Sequence, residues 1–209
     1  MKNTSQTTHA RILHQGLVLM SRSGLAGVTL GQLAEQVGMS KSGLFAHFRS
    51  KDDIQIALLE YMSQFAGPHV VEPAMKEPAG LPQLESLVQH WLGWAQRSGL
   101  PGGCPVAAGM FELDDLEGPV RDKILAMESE WRGLLGQLVR SAIELGHLRQ
   151  HLDVEQFVWE LCGIYLAHHV AHRFRRDADS DMRAATAFRA LLDRALPVTA
   201  QVKRGRPKR

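Results

Sequence analysis

The chain has 209 residues, and 44% of them are apolar, which is enough to bury a core and excludes a chain that is disordered by composition. Leu, Ala, Gln, Glu and Arg are plentiful while β-branched residues are sparse, so an all-α fold is predicted. Two cysteines exclude a disulfide framework or a zinc-ribbon pattern. Without an apolar run of about 18 residues or a signal-peptide pattern at the N-terminus, we expect no membrane segment and a cytoplasmic location.

The net charge of +2 is unevenly distributed along the chain. Five positive residues lie among the last seven: Lys203, Arg204, Arg206, Lys208 and Arg209. The net charge of +2 minus these five charges leaves −3 on the rest of the chain. The overall charge therefore does not argue for nucleic-acid binding, and local features must be considered instead.

Four short helices are predicted in the first third of the chain. The first covers residues 8–22, and the second covers 30–37 with Thr29 as its cap and Gly38 as its end. Ser40 caps a third helix, which is predicted to carry Leu44, Phe45 and Phe48. The pair Ser50 and Asp53 has capping-box spacing and starts a fourth helix over about residues 53–66.

Five further helices are predicted beyond a proline- and glycine-rich break at residues 67–82. Apolar residues between positions 84 and 95 mark the fifth, and Pro105 and Pro119 suit the first turns of the sixth and seventh. The eighth, capped by Asp153, is apolar on nearly all sides and must therefore be covered on several faces. The ninth covers about residues 181–196, which gives about nine helices in all.

The second and third predicted helices, joined through Gly38, have the arrangement of a helix-turn-helix. In such a pair the start of the second helix faces the base edges of DNA, which predicts exposed contacts from Lys41, Ser42 and Gly43. Further DNA contacts are predicted for Thr29, Ser40, Phe45, His47 and Lys51. Residues 1–67 hold only six Lys or Arg against four acids, and caps and apolar stripes occur in any small helical protein. Periodicity alone therefore leaves DNA binding undecided.

The run VTLGQLAEQVGMSKSGLFAHFRSKDDI resembles the DNA-binding domain of TetR-family transcriptional regulators. The matching positions are Thr29, Leu33, Ala34, Gly38, Ser40, Phe45, His47, Phe48 and Lys51. Phe45 departs from the family pattern, where Tyr is commoner, and lacks a hydroxyl that could contact phosphate. The resemblance implies a homodimer on a palindromic operator of double-stranded DNA and a pocket for a small-molecule effector. Because the sequence carries no enzyme signal, we expect a regulator that is not an enzyme and needs no cofactor.

The resemblance also implies how the chain is divided. We expect a DNA-binding domain over residues 1–52, an effector-binding and dimerisation domain over 53–200, to which the fourth helix connects, and a basic tail over 201–209. The last two helices would form the dimer interface. From the sequence alone, the eighth helix could instead lie at the centre of its own domain, and we favour one face in the core and one face in a four-helix dimer bundle.

Aromatic, Met and His side chains are the candidates for the wall of the effector pocket. They are Trp91, Trp94, Met110, Phe111, Met127, Trp131, Trp159, Tyr165 and His168. Such side chains are more often core residues, so the existence of a pocket is a firmer prediction than its lining.

Three other features suggest further chemistry. Cys104 precedes Pro105, and a thiol at a helix start could be a redox sensor, although a buried apolar role is the alternative. His168 and His172 have the i, i+4 spacing of metal ligands, but no acidic partner is close in sequence, so no metal site is predicted. The acidic run ELDDLE at residues 112–117 is interpreted as a solvated surface. No catalytic motif is present.

The tail KRGRPKR resembles an AT-hook, in which Arg204 and Arg206 would lie along the minor groove of A·T-rich DNA. A disordered basic tail with general electrostatic attraction is the alternative. Two rival functions therefore accompany the ligand-responsive repressor: an architectural protein of A·T-rich DNA, and a thiol- or metal-sensing regulator.

Overall fold

The computed structural model describes the backbone of residues 2–197 and the side chains of residues 8–197, and this part of the chain is helical without β-strands. The ten helices are α1 (Lys2–Ser23), α2 (Leu30–Val37), α3 (Lys41–Phe45), α4 (Lys51–Met75), α5 (Leu81–Trp91), α6 (Trp94–Arg97), α7 (Pro105–Glu112), α8 (Pro119–Glu144), α9 (Val154–Arg173) and α10 (Ser180–Ala195). The predicted all-α class is confirmed. None of these helices is long and apolar enough to cross a lipid bilayer.

The local signals for α2 and α3 act as predicted. The Thr29 hydroxyl accepts a hydrogen bond from the N–H of Gln32, and Gly38 ends α2 with a left-handed φ of 66°. Two details differ from the predictions. First, α1 begins at Lys2 rather than residue 8. Second, α3 ends at Phe45, so Phe48 lies beyond the helix, where its side chain is nevertheless buried.

Helix α4 is longer than predicted, because it continues through Pro68 and Pro73 to Met75 instead of ending near residue 66. A proline inside a helix removes one backbone hydrogen bond and crowds the preceding turn. The continuation buries Val70 and Ala74, which are 3% and 0% exposed, so apolar packing offsets this local cost.

The segment that was predicted as a single fifth helix is split in two. Helix α5 ends at Trp91, Leu92 is extended, and Gly93 has a left-handed φ of 71°. The chain then forms the four-residue α6, which is the helix that raises the count from nine to ten. Pro105 and Pro119 begin α7 and α8 as predicted, and the Asp153 carboxylate caps α9 by accepting from the N–H of Gln156.

The chain packs as two compact units that do not follow its order in sequence. Unit 1 contains the residues up to Gly67 together with Ala95–Glu128. Unit 2 contains Pro68–Trp94 together with the described residues from Ser129 onward. Helices α4 and α8 therefore each contribute residues to both units.

Within unit 1, the segment around α7 packs on the end of α1 and the loop that follows it. The N–H of Gly103 donates to the carbonyl of Ser21 at 2.9 Å, and the N–H of Ala26 donates to the Glu112 carboxylate at 2.8 Å. The buried side chain of Gln55 on α4 donates to the carbonyl of Leu25 at 2.8 Å. Groups distant in sequence, two side chains and one backbone N–H, thus satisfy backbone groups at the end of α1 and in the α1–α2 loop.

Candidate functional site

The start of α3 presents polar groups to solvent. Ser40 caps the helix, because its hydroxyl accepts from the N–H of Gly43 at 3.0 Å and also lies 3.0 Å from the hydroxyl of Ser42. Lys41 and Ser42 are exposed, whereas Leu44 is fully buried. The apolar anchor therefore fixes the helix while its leading polar side chains face outward.

The rings that follow take different positions. Phe45 is 47% exposed, an unusual position for a large apolar ring and one that leaves it free to contact another molecule. Phe48 is buried, and its ring stacks on that of His9 from α1 at a centroid distance of 5.2 Å. His47 is half-buried, with its ring centroid 6.0 Å from that of His9.

Two more predicted DNA contacts lie at the starts of neighbouring helices. Thr29 is exposed before α2 and Lys51 is exposed at the first position of α4. The start of α4 is capped from both sides, since the Ser50 hydroxyl accepts from the N–H of Asp53 and the Asp53 carboxylate accepts from the N–H of Arg49. That carboxylate engages Arg49 rather than the Ser50 N–H of a regular capping box. Residues Arg204 and Arg206 of the tail lie outside the described residues.

Four of the predicted pocket residues form an aromatic cluster in unit 2. The rings of Trp91 and Tyr165 are stacked, with a centroid distance of 4.0 Å and an angle of 9° between their planes. Trp131 lies 5.0 Å from Trp91, and Nε1 of Trp94 donates to the hydroxyl of Tyr165 at 3.2 Å. Nε1 of Trp131 is buried and has no hydrogen-bond partner within the described residues. A buried donor in this state is costly, so a group that accepted from it would be stabilised.

The other predicted lining residues are not part of this cluster. Met110, Phe111 and Met127 belong to unit 1, and Met110 and Met127 are half-buried there. Phe111 and Trp159 are 57% and 64% exposed, so these two rings do not line an enclosed cavity in the single chain. The apolar character of Phe111 and Trp159 predicted that both rings are buried, but both lie on an exposed helix surface.

Cys104 lies where the sequence predicted, at the N-cap of the eight-residue α7, and its thiol is buried. Cys162 is buried on α9. Burial restricts the access of oxidants to both thiols.

An open groove of about 550 Å³ runs between α9 and α10. Its lining is rich in small residues: Gly163, Ala167, Ala171, Ala184, Ala187 and Ala190. Alongside it, one face of α9 exposes large apolar side chains, among them Trp159 and Val170, and Phe174 at the end of the helix is 86% exposed. An apolar face of this extent on a single chain is typical of a surface that another protein covers.

The same two helices bring together three side chains of types that can ligate a metal ion, which the sequence did not connect. The side chains of His168, His172 and Asp181 place one ligand atom each within 4.8 Å of one another. Only the packing of α10 against α9 reveals Asp181 as a neighbour, because 13 residues separate it from His168. On the adjoining position of α9, burial lowers the pKa of His169, and the nearby charge of Arg173 lowers it further.

Comparison with known proteins accounts for this arrangement of helices. Residues 12–58 match the model of bacterial regulatory proteins of the tetR family, and residues 80–188 match the tetracyclin repressor-like C-terminal domain. The second match alone covers more than half of the chain. The chain belongs to the TetR family.

Individual relatives of this TetR-family chain are distant. The nucleoid occlusion factor SlmA of Aliivibrio fischeri (strain MJ11) is 29% identical over 121 residues, which are 56% of this chain and 61% of that protein. A TetR transcriptional regulator from Chloroflexus aurantiacus J-10-FL has the same fold, with a TM-score of 0.80 and 23% identity over 91% of this chain and 94% of its own. The structure of AibR in complex with isovaleryl coenzyme A and operator DNA gives a TM-score of 0.64 and 20% identity over 78% and 85% of the two chains.

Proposed function

We propose that this TetR-family chain is a homodimeric transcriptional repressor that binds a palindromic operator and is released by a small-molecule effector. The exposed start of α3 is the observation that carries the proposal, because its polar side chains face outward while Leu44 and Phe48 hold the helix in place. The division into a DNA-binding domain over residues 1–52, an effector domain over 53–200 and a basic tail belongs to this proposal. Because its target is chromosomal DNA, we place the protein in the cytoplasm.

Lys41 and Gly43 give the proposal two distinct tests. The exposed ammonium of Lys41 would neutralise DNA charge in each of the two half-sites, so Lys41→Ala should reduce the slope of log affinity against log salt concentration by about two for the dimer. Gly43 would let the DNA backbone approach closely. An added Cβ there lies 3.2 Å from the Ser40 hydroxyl and 3.4 Å from Met39, so the fold can accommodate Gly43→Ala with small shifts.

The experiment begins with selection of duplexes from a random pool by the purified chain, followed by affinity measurements on the selected sequence. We expect a palindrome with half-sites about one helical turn apart, and at least about tenfold weaker binding by Gly43→Ala without loss of stability. Lys76→Ala is the matched control, since Lys76 is exposed just after α4. Equal affinity of Gly43→Ala, Lys41→Ala and the control would contradict the proposed DNA-binding surface.

The dimer in this proposal forms through α9 and α10. Gly163 and Ala167 allow close approach of a second helix pair, and the exposed Trp159, Val170 and Phe174 supply apolar area around them. This interface would hold two α3 helices at the separation that a palindromic operator requires.

The aromatic cluster of Trp91, Trp94, Trp131 and Tyr165 is the proposed wall of the effector site. Its apolar rings suit the body of an organic molecule, and the unpartnered Nε1 of Trp131 suits a hydrogen-bond acceptor such as a carbonyl. The isovaleryl coenzyme A bound by AibR has this combination of an acyl chain and a carbonyl, which makes acyl thioesters the first compounds to test.

A thermal-shift screen of the full chain would identify effectors, because a ligand that binds only the native state raises its melting temperature. For a compound found in this way, Trp131→Phe keeps a ring but removes the donor, and we expect affinity to fall about three- to tenfold. Phe111→Leu is the control, since the Phe111 ring is exposed and belongs to unit 1, outside the aromatic cluster. Equal affinities of the two variants would exclude Trp131 as the donor.

The basic tail supports a second candidate, an architectural protein of A·T-rich DNA. Footprinting separates it from the repressor, because protection of one short palindrome supports the repressor and diffuse protection of A·T-rich DNA supports the alternative. Deletion of residues 203–209 should weaken operator binding at physiological salt in either case, and unchanged affinity would exclude a role for the tail.

A further inference from the structure

We propose that His168, His172 and Asp181 form a binding site for one divalent transition-metal ion, with Zn²⁺ as the representative ion. The site joins the second half of α9 to the first turn of α10. It depends on neither DNA binding nor an organic effector, so it stands or falls separately from the proposed repressor function.

The positions of the donor atoms support this assignment. His168 and His172 are one helical turn apart on α9, with ring centroids 5.5 Å apart and an angle of 15° between the ring planes. One donor atom from each of the three side chains lies within 4.8 Å of the other two. An ion about 2.0–2.2 Å from each donor requires donors up to about 4 Å apart, so small side-chain movements are sufficient.

The Asp181 carboxylate is the ligand that must move. Its Oδ1 lies 2.6 Å from Nε2 of His168, closer than the roughly 3.4 Å between two ligands of a tetrahedral ion. The Asp181 side chain is 70% exposed, so it can swing outward without disturbing the core. The imidazole of His168 is only 3% exposed and gives the site one rigid ligand.

Neighbouring groups prepare the site. The hydroxyl of Ser180 lies 3.3 Å from Nδ1 of His172 and can orient that ring. The guanidinium of Arg183 lies 3.6 Å from the carboxylate of Asp177 and 3.8 Å from that of Asp179. These two acids therefore hold the charge of Arg183 beside the loop that precedes α10.

The donor set selects the class of ion. Two imidazole nitrogens and one carboxylate oxygen suit Zn²⁺ and its transition-metal neighbours, whereas Mg²⁺ and Ca²⁺ prefer oxygen ligands throughout. Three protein ligands leave a fourth position for water or another small ligand. A hydrogen bond between His168 and Asp181 involves only these two side chains. It does not account for the position of the His172 imidazole, which also has a nitrogen within 4.8 Å of both.

The test uses the full chain after removal of metals with a chelator. Calorimetric titration with Zn²⁺ should show one ion per chain, and Co²⁺ should give the visible absorption of a low-symmetry nitrogen- and oxygen-ligated ion. His172→Gln and Asp181→Asn should each weaken Zn²⁺ binding by at least about tenfold. Mg²⁺ should not compete.

Two matched variants serve as controls. His151→Gln removes an exposed imidazole from the same unit, and Glu155→Gln removes an exposed carboxylate from the first turn of α9. Both should bind Zn²⁺ like the unaltered chain, and circular dichroism should show that all four variants are folded. No binding of Zn²⁺, or binding that His172→Gln and Asp181→Asn leave unchanged, would overturn the proposal.

Discussion

Gln55 is a buried polar side chain on α4 that links this helix to the loop between α1 and α2. It is 7% exposed, and its amide donates to the carbonyl of Leu25 at 2.8 Å. Gln55→Ala would remove the donor and leave a buried carbonyl unsatisfied, so we expect the free energy of unfolding to fall by about 1–3 kcal/mol.

Urea unfolding followed by circular dichroism would measure this loss. Gln64→Ala is the matched control, because Gln64 lies on the same helix and is exposed. A loss no larger than that of Gln64→Ala would show that the hydrogen bond contributes nothing net to stability.

Local residue roles could be predicted from the sequence, and distant ones could not. Thr29, Ser40 and Asp153 were identified as caps because a cap acts within three residues of itself. Glu112 was interpreted as part of a solvated acidic run, yet its carboxylate accepts from the N–H of Ala26, 86 residues earlier. Asp181 was missed as a neighbour of His168 for the same reason: only packing brings the two together.

At the scale of elements, the loop before α7 docks on the end of α1 through a glycine. A Cβ on Gly102 would overlap the backbone carbonyl of Ser21, and backbone cannot move aside as a side chain can. We expect Gly102→Ala to lower the free energy of unfolding by about 3 kcal/mol or more, which thermal or urea unfolding would detect.

Gly133→Ala provides the contrast for this prediction. A Cβ on Gly133 meets no atom within 4 Å, and the residue lies inside α8. Alanine should therefore stabilise that helix by about 0.5–1 kcal/mol. Equal effects of the two substitutions would mean that the loop adjusts to the added Cβ of Gly102→Ala.

Two of the helix boundaries that differ from the prediction, the ends of α4 and α5, show how local signals compete with packing. Prolines at 68 and 73 predicted a break, but the buried Val70 and Ala74 keep α4 helical across them. Conversely, the apolar stripe from Leu84 to Ala95 predicted continuity, but the left-handed Gly93 interrupts it. Tertiary packing decides whether a local signal prevails, and a single sequence does not contain the packing.

At the scale of the whole molecule, the exposed face of α9 and α10 should decide the oligomeric state. Ala167 is exposed and lines the groove between these helices. In a dimer closed over this groove, Ala167→Glu would bury an unpaired charge, so we expect the dimer dissociation constant to rise at least about a hundredfold. Sedimentation equilibrium would measure it.

Ala126→Glu places the same charge at an exposed position of α8 and should leave the association unchanged. Loss of the dimer in the Ala167→Glu variant should also lower its operator affinity, because a single chain contacts only one half-site. A fully dimeric Ala167→Glu variant would exclude α9 and α10 as the interface.

The set of residues that make up unit 1 matters for any chimera that joins this DNA-binding region to the effector domain of another protein. A fragment cut at Gly67 would lose Glu112, which caps the amide of Ala26, and Gly103, which caps the carbonyl of Ser21. It would also uncover Leu25, which packs against Gly109. A chimera that retains residues 95–128 should therefore bind DNA with higher affinity than one joined at the end of the helix-turn-helix.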